Sequence, residues 1–327
     1  MVRLLLPVAL LLAGCGAGSD AAQAEDDEAL FVANKREASL SRIDLASGEE
    51  TARAETCENP HELAISPDGR HVLAACYSGT ALEIYSTADL SPAGRIELGA
   101  GARPHTAAWH ASGMIVAGAE GRGSIFVIRD PLSETRQLTE IGEGEAGPHM
   151  VVIDKAGENA WGTIISAGTV VRYDLAKGEV AARKRLGGRT EAIALAPGGG
   201  SLWVGDNDGA KVYRLDPQTL EVEAEVAAGP VPIRVLAHPG GEYVVSSNFG
   251  GGSVSVIDIA SNSVVREIPV SGGGEAMQVT LLFGGDGSRL YVAETATNTV
   301  AEVDFASGQV LRRLPAGEGG DGLAIKE

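Results

Sequence analysis

Three histidines follow proline at equal intervals: Pro60-His61, Pro104-His105 and Pro148-His149, each 44 residues after the last. Imidazoles in equal phase can serve one site if the chain wraps its repeat units around a common axis. Imidazole together with carboxylate suits zinc, copper, iron or nickel. Three imidazoles completed by an acid or a water match an open zinc site. Counting back from neighbouring turns gives the matching position in other units: Glu191, Ile233 and Asp321, with Met277 or Gln278 in the last unit. The expected order around the axis is Asp321, His61, His105, His149, Glu191, followed by two positions without ligands. His61, His105, His149 and Asp321 are therefore the candidate metal ligands, for zinc or copper, and Glu191 is a candidate ligand-binding group. Two other readings stand beside this one. The imidazoles satisfy local backbone groups, or the arc binds a small organic ligand directly.

Further polar groups fall where strands should end near the same opening. Asn34, Asp206, Ser247 and Glu294 occupy roughly equivalent places, and Arg234 adds a positive charge two residues after Pro232. Asp206, Glu294 and Arg234 join Glu191 as candidate ligand contacts; a solvated acidic rim would give the same pattern. His71, His110 and His238 sit beside turns at the opposite end of their units and read as surface or turn residues. No Gly-x-Ser-x-Gly elbow, phosphate loop or Cys-x-x-Cys occurs in the chain, and no dinucleotide fingerprint opens a helix, since no helical period is present. Aromatic residues make up only 4%, which weakens the case for stacking a large flat cofactor. The net charge of -18 argues against nucleic acid and against anionic membrane as partners.

The elements that must position these residues repeat along the chain. A step ending in Asp recurs at Ile43-Asp44, Arg129-Asp130, Tyr173-Asp174, Leu215-Asp216, Ile257-Asp258 and Val303-Asp304, and Tyr85-Ser86 has lost the acid. The spacing is roughly 42–46 residues, the length of a propeller blade. Each period reads as four short strands bounded by Gly, Pro and Asp. In the second, Leu63-Ala64-Ile65, His71 to Cys76, Ala81 to Tyr85 and Arg95 to Leu98 are the strands. Leu30 to Asn34 reads as a second strand lacking its inner neighbour, and Asp321 to Ile325 as an inner strand lacking a blade. Joining them completes a blade and removes open edges. The expectation is an all-β, seven-bladed propeller over residues 29–327, its ring closed by the C-terminal strand.

The start of the chain has another character. Arg3 precedes an apolar run from Leu4 to Ala13, which is too short for a membrane span and has the form of a signal peptide. Leu12-Ala13-Gly14-Cys15 resembles the bacterial lipobox. That resemblance implies a lipoprotein signal over residues 1–14, cleavage before Cys15 and a lipid on its sulfur, with Gly16 favouring the outer membrane facing the periplasm. An ordinary secretory signal cut nearby is the alternative. Residues 15–28 then form a lipidated, acidic tether unable to bury an apolar core. Cys57 and Cys76 remain as an even pair in an exported chain, which suggests a disulfide. Antiparallel counting places Cys76 near His61. Thiolate ligation beside His61 and two free thiols are the alternatives.

Pro60-His61…Ser66-Pro67-Asp68-Gly69, Phe31-Val32-Ala33-Asn34…Ile43-Asp44-Leu45-Ala46-Ser47-Gly48 and Leu290-Tyr291-Val292-Ala293 resemble the YVTN-type (YncE-like) propeller repeat. The resemblance covers residues 29–327 and implies seven blades. It leaves function open, because this architecture hosts binding proteins, lactonases and redox proteins. The expected function is a non-catalytic, lipid-anchored monomer of the cell envelope. It would bind a metal ion or small ligand at the funnel, or scaffold a protein partner on its rim. The alternative is a lactonase-like or metal-assisted hydrolase. The Pro-Arg-His entries of lactonase-type repeats are absent, and Arg103 precedes Pro104 instead.

Overall fold

The Asp steps mark the turns that hold each unit together. In a computed structural model, which describes Val2 and residues 28–142 and 146–327, Asp44 Oδ1 accepts hydrogen bonds from the Ser47 N–H at 2.6 Å and the Ser47 hydroxyl at 2.5 Å. Asp258 does the same with Ser261, and Asp304 with Ser307. An Asp side chain that closes on the backbone three residues later makes the turn between third and fourth strands. Ser86 replaces the acid in the second unit and accepts from the Ala88 N–H at 3.2 Å. Asp130 is the exception: it sits at positive φ, and its carbonyl rather than its carboxylate takes the Ser133 N–H.

Seven such units form seven four-stranded antiparallel sheets around one axis. Their inner strands are Gly320–Lys326 in blade one, Pro60–Ile65 in two, Pro104–Trp109 in three, Met150–Ile153 in four, Thr190–Leu195 in five, Pro232–Ala237 in six and Gln278–Phe283 in seven. Blade one closes the ring. Its inner strand comes from the C-terminus and pairs with Ala29–Asn34, matching Leu30 with Ile325 and Val32 with Leu323. Apolar side chains from adjacent sheets fill the spaces between blades. Leu73, Leu82 and Ile84 of blade two meet Ile115, Phe126 and Ile128 of blade three. Outer strands such as Glu50–Glu55 alternate half-buried and exposed residues, as edges facing water should. No helix among the described residues is long and apolar enough to cross a membrane. Cys15, the signal segment apart from Val2, and the tether apart from Glu28 lie outside the described residues.

One local irregularity decides what reaches the axis. In blade two Pro60 faces Cys76 but Leu63 faces Ala74, so the inner strand carries one extra residue at its entry. The same slip occurs in blades one, three, five, six and seven. A bulge sets two residues of one strand opposite one residue of its partner. In these six blades two consecutive residues are thereby offered to the channel; the inner strand of blade four pairs without a slip, and in blade one the second residue is Gly322. The inner strands crowd there: a Cβ on Gly322 would stand 1.8 Å from the His61 carbonyl oxygen, so only glycine fits between blades one and two.

Candidate functional site: a two-layered axial channel

The first of these positions carries Asp321, His61, His105, Glu191, Ile233 and Val279, and His149, just before the inner strand of blade four, takes the equivalent place between His105 and Glu191. Val279, not Met277 or Gln278, takes the place in blade seven. The count slips there because Ser271 to Met277 form a glycine-rich insertion with a 3-10 turn at Gly274–Ala276. The three imidazoles touch in sequence. His61 and His105 have ring centroids 4.5 Å apart, and His105 and His149 3.5 Å at an interplanar angle of 31°. Tyr77 closes the group at 4.7 Å from His61 and 5.2 Å from His105.

Both ends of this stack are held by charge. His149 Nδ1 is hydrogen-bonded to a Glu120 carboxylate oxygen, and its Nε2 lies 3.3 Å from Glu191. Glu120 also accepts from the Tyr77 hydroxyl at 2.8 Å, and Glu191 from Asn207 at 2.6 Å. Arg103 donates to the Tyr77 hydroxyl at 2.5 Å. At the other end Asp321, 3% exposed, pairs with Lys35 at 2.7 Å. The partners Lys35, Tyr77, Glu120 and Asn207 all directly follow a second strand, which makes them a collar around the first-position residues.

These surroundings separate the three imidazoles chemically. For His149, burial opposes the charge, but the carboxylates of Glu120 and Glu191 win and raise its pKa above 6.5. For His105, which is 4% exposed, burial and then the neighbouring His149 hold the pKa well below 6.5. His61 is also lowered by burial, against the pull of Asp321. Glu120 and Glu191 are each lowered: burial opposes ionisation, and the hydrogen bond from His149 overcomes it. The stack thus runs from His149, whose charged form its carboxylates favour, to two rings whose neutral form burial favours. His61 Nδ1 lies 3.4 Å from the Asn59 carbonyl. His105 Nδ1 is buried with no hydrogen-bond partner.

The second bulge position closes the channel. Arg234 reaches across from blade six and donates from Nη2 to Glu62 of blade two at 2.6 Å and to Thr280 of blade seven at 3.0 Å. Its Nη1 faces the Met150 sulfur of blade four at 2.8 Å. Arg234 and Glu62 are each 8% exposed. Thr280 in turn lies 3.2 Å from Asp321, which ties the two layers together.

Asp206 and Glu294 are committed within their own blades. Asp206 Oδ1 accepts the N–H groups of Arg189, Asp208 and Gly209 at 3.3, 3.2 and 3.1 Å. Glu294, 2% exposed, takes Arg313 at 2.8 Å. Among the described residues, no three His, Cys, Asp or Glu ligand atoms of the channel lie within 4.8 Å of one another. Cys57 and Cys76 are bridged, with Cα atoms 5.7 Å apart. His110 and His238 bond to turn groups of the next blade, Lys155 and Gly287, at the end away from the arc. Glu62, Tyr77, Glu120 and Lys35 were not singled out from the sequence. Only Glu62, adjacent to His61, left a signal that a bulge count could have caught.

The fold and the axial site define a seven-bladed propeller with a polar, plugged central channel. The chain belongs to the YncE-like β-propeller family, whose model matches residues 5–326. No curated protein matches it. Among solved structures it is similar to Kuenenia stuttgartiensis hydrazine synthase, at 15% identity and a TM-score of 0.69, covering 80% of this chain and 87% of that one. It is also similar to the dihydro-heme d1 dehydrogenase NirN in complex with DHE, at 15% identity and a TM-score of 0.67, covering 92% of this chain and 76% of that one. At such identity these likenesses concern the fold alone.

Proposed function

We propose that this protein is a non-catalytic binding propeller that takes up a divalent transition metal, of the zinc or copper class, through His61 and His105. The observation that carries the reading is the buried His105 Nδ1, a polar atom without a partner on a ring held neutral. Neutral imidazole is the form that ligates metal, and a buried polar atom left unpaired is costly. His149 is not the third ligand, because both its nitrogens are engaged by carboxylates. Water or an incoming ligand completes the coordination, so the ion is exchangeable rather than structural. Asp321 supplies charge from beside Lys35. No hydroxyl or thiol is hydrogen-bonded to His61, His105 or His149 among the described residues, which favours binding over a lactonase-like hydrolysis.

In this reading the domain is a monomer held in the cell envelope by a lipid on Cys15, at the outer membrane facing the periplasm. Its outer rim is open to a protein partner. Calorimetric titration of metal-free protein with Zn(II) at pH 7 tests the site. One ion per chain is expected, with affinity at least tenfold weaker in His105→Ala. Unchanged affinity in that variant, or turnover of simple lactones by the metal-free protein, would overturn it.

A further inference from the structure

A second group of metal-competent atoms, which includes none of the channel histidines, lies on blade two. The sulfurs of Cys57 and Cys76 and a carboxylate oxygen of Glu83 all lie within 4.8 Å of one another. Glu83 stands on the third strand of blade two, Ala81–Ser86, next to the second strand, His71–Cys76, that ends in Cys76. Its carboxylate is held in place from several sides. The Cys57 N–H donates to Oε2 at 2.9 Å, the Tyr85 hydroxyl to the same oxygen at 2.6 Å, and Arg95 binds Oε1.

We propose that Cys57, Cys76 and Glu83 form a redox-gated site for a divalent metal of the zinc class, closed as the disulfide and opened by reduction. Cys57 is partly exposed and Cys76 fully buried, so an external thiolate reaches the Cys57 sulfur first. Attack there forms a mixed disulfide and expels the Cys76 thiolate. The second thiol of a dithiol reductant then resolves the mixed disulfide. The protein disulfide gains two electrons and two protons, and the reductant leaves as its own disulfide. Binding of the metal displaces two protons from the freed thiols. Two thiolates and one carboxylate supply three ligands, and water completes a tetrahedron. The charges balance: a divalent ion and the Arg95 guanidinium offset two thiolates and Glu83. Thiolate ligation also selects zinc-class ions over magnesium or calcium. The bridge closes a loop of only about twenty residues (57 to 76) within blade two, where Leu63, Val72, Ala74 and Tyr85 supply the strand pairing and apolar packing apart from the sulfurs.

The test is titration of the full chain with Co(II), before and after reduction by a water-soluble phosphine. The phosphine takes one oxygen from water and yields the same dithiol. The oxidised chain should show no thiolate-to-cobalt charge-transfer band in the near ultraviolet. Any cobalt it binds without that band belongs to the histidine arc and separates the two sites. The reduced chain should take one further ion with the band of two thiolates. Cys57→Ser should roughly halve the band. Glu83→Gln should retain it while weakening affinity about tenfold. A reduced chain without the band, a band that survives in Cys57→Ser/Cys76→Ser, affinity unaltered in Glu83→Gln, or loss of the β-sheet circular dichroism on reduction would each overturn the proposal.

Discussion

The channel has two unlike walls. From blade one to blade five the first axial position carries Asp321, His61, His105, His149 and Glu191, while blades six and seven offer Ile233 and Val279 at the same level. One residue further along each strand the chemistry reverses: blade six sends Arg234 across the axis to Glu62, and blades three and five contribute only Thr106 and Ala192. The same backbone device serves two ends. Where the first residue of the bulge is polar it builds a site, and where the second is charged it pins opposite sides of the ring together.

The largest effect that would break this division lies in the second layer. Arg234→Ala leaves the Glu62 carboxylate buried and unpaired, and removing one partner of a buried ion pair costs about 3–5 kcal/mol. Thermal melts should fall accordingly. Arg234→Met combined with Glu62→Leu should recover most of the loss, because paired apolar replacement is often neutral. Equal melting of wild type and Arg234→Ala would mean that the cross-channel pair holds nothing together. Next in size is the bridge. Cys57→Ser/Cys76→Ser should lose about 3 kcal/mol, the value for a loop of some fifteen to twenty residues. Denaturant unfolding of the variant measures it.

How much of this was legible beforehand follows from which features repeat. The seven blades were legible because Asp44, Asp174, Asp216, Asp258 and Asp304 each close the same turn, so fold and turn chemistry share one signal. The histidine arc was legible because His61, His105 and His149 keep that phase. The bulge left no mark in composition, since one extra residue changes no residue type, and Glu62 and Arg234 were therefore not read as partners. Tyr77, Glu120 and Lys35 differ from blade to blade and show no period. Asp206 and Glu294 keep the phase of strand ends, but local donors turn them into their own blades: backbone N–H groups for Asp206, Arg313 for Glu294.

Smaller effects sharpen the contrast within the arc. Because His61 and His105 are both lowered, their neutral forms persist below pH 6.5, and zinc uptake should survive at a pH where an ordinary imidazole has become charged. Uptake midpoints measured between pH 5 and 7 give the answer; a midpoint at or above pH 6.5 would contradict the lowered values. The stability signature is smaller still, and its sign differs between neighbours. The raised pKa of His149 contributes stability that is present below pH 6.5 and lost as pH rises through its folded value. The depressed pKa of His105 does the reverse: as pH falls below 6.5 the unfolded chain binds a proton the folded ring refuses, and stability declines. Melting curves against pH should therefore lose their alkaline-side fall in His149→Gln and their acid-side fall in His105→Gln.

The central claim is that two imidazoles of the polar wall, His61 and His105, and not the third, held between two carboxylates, bind the ion. Anomalous scattering from crystals soaked in Zn(II) addresses it directly. The predicted result is one peak in the channel about 2.0–2.1 Å from a nitrogen of His61 and of His105, with His149 still between Glu120 and Glu191. A peak bound to His149, or a channel without zinc in crystals that hold the ion elsewhere, would contradict the account.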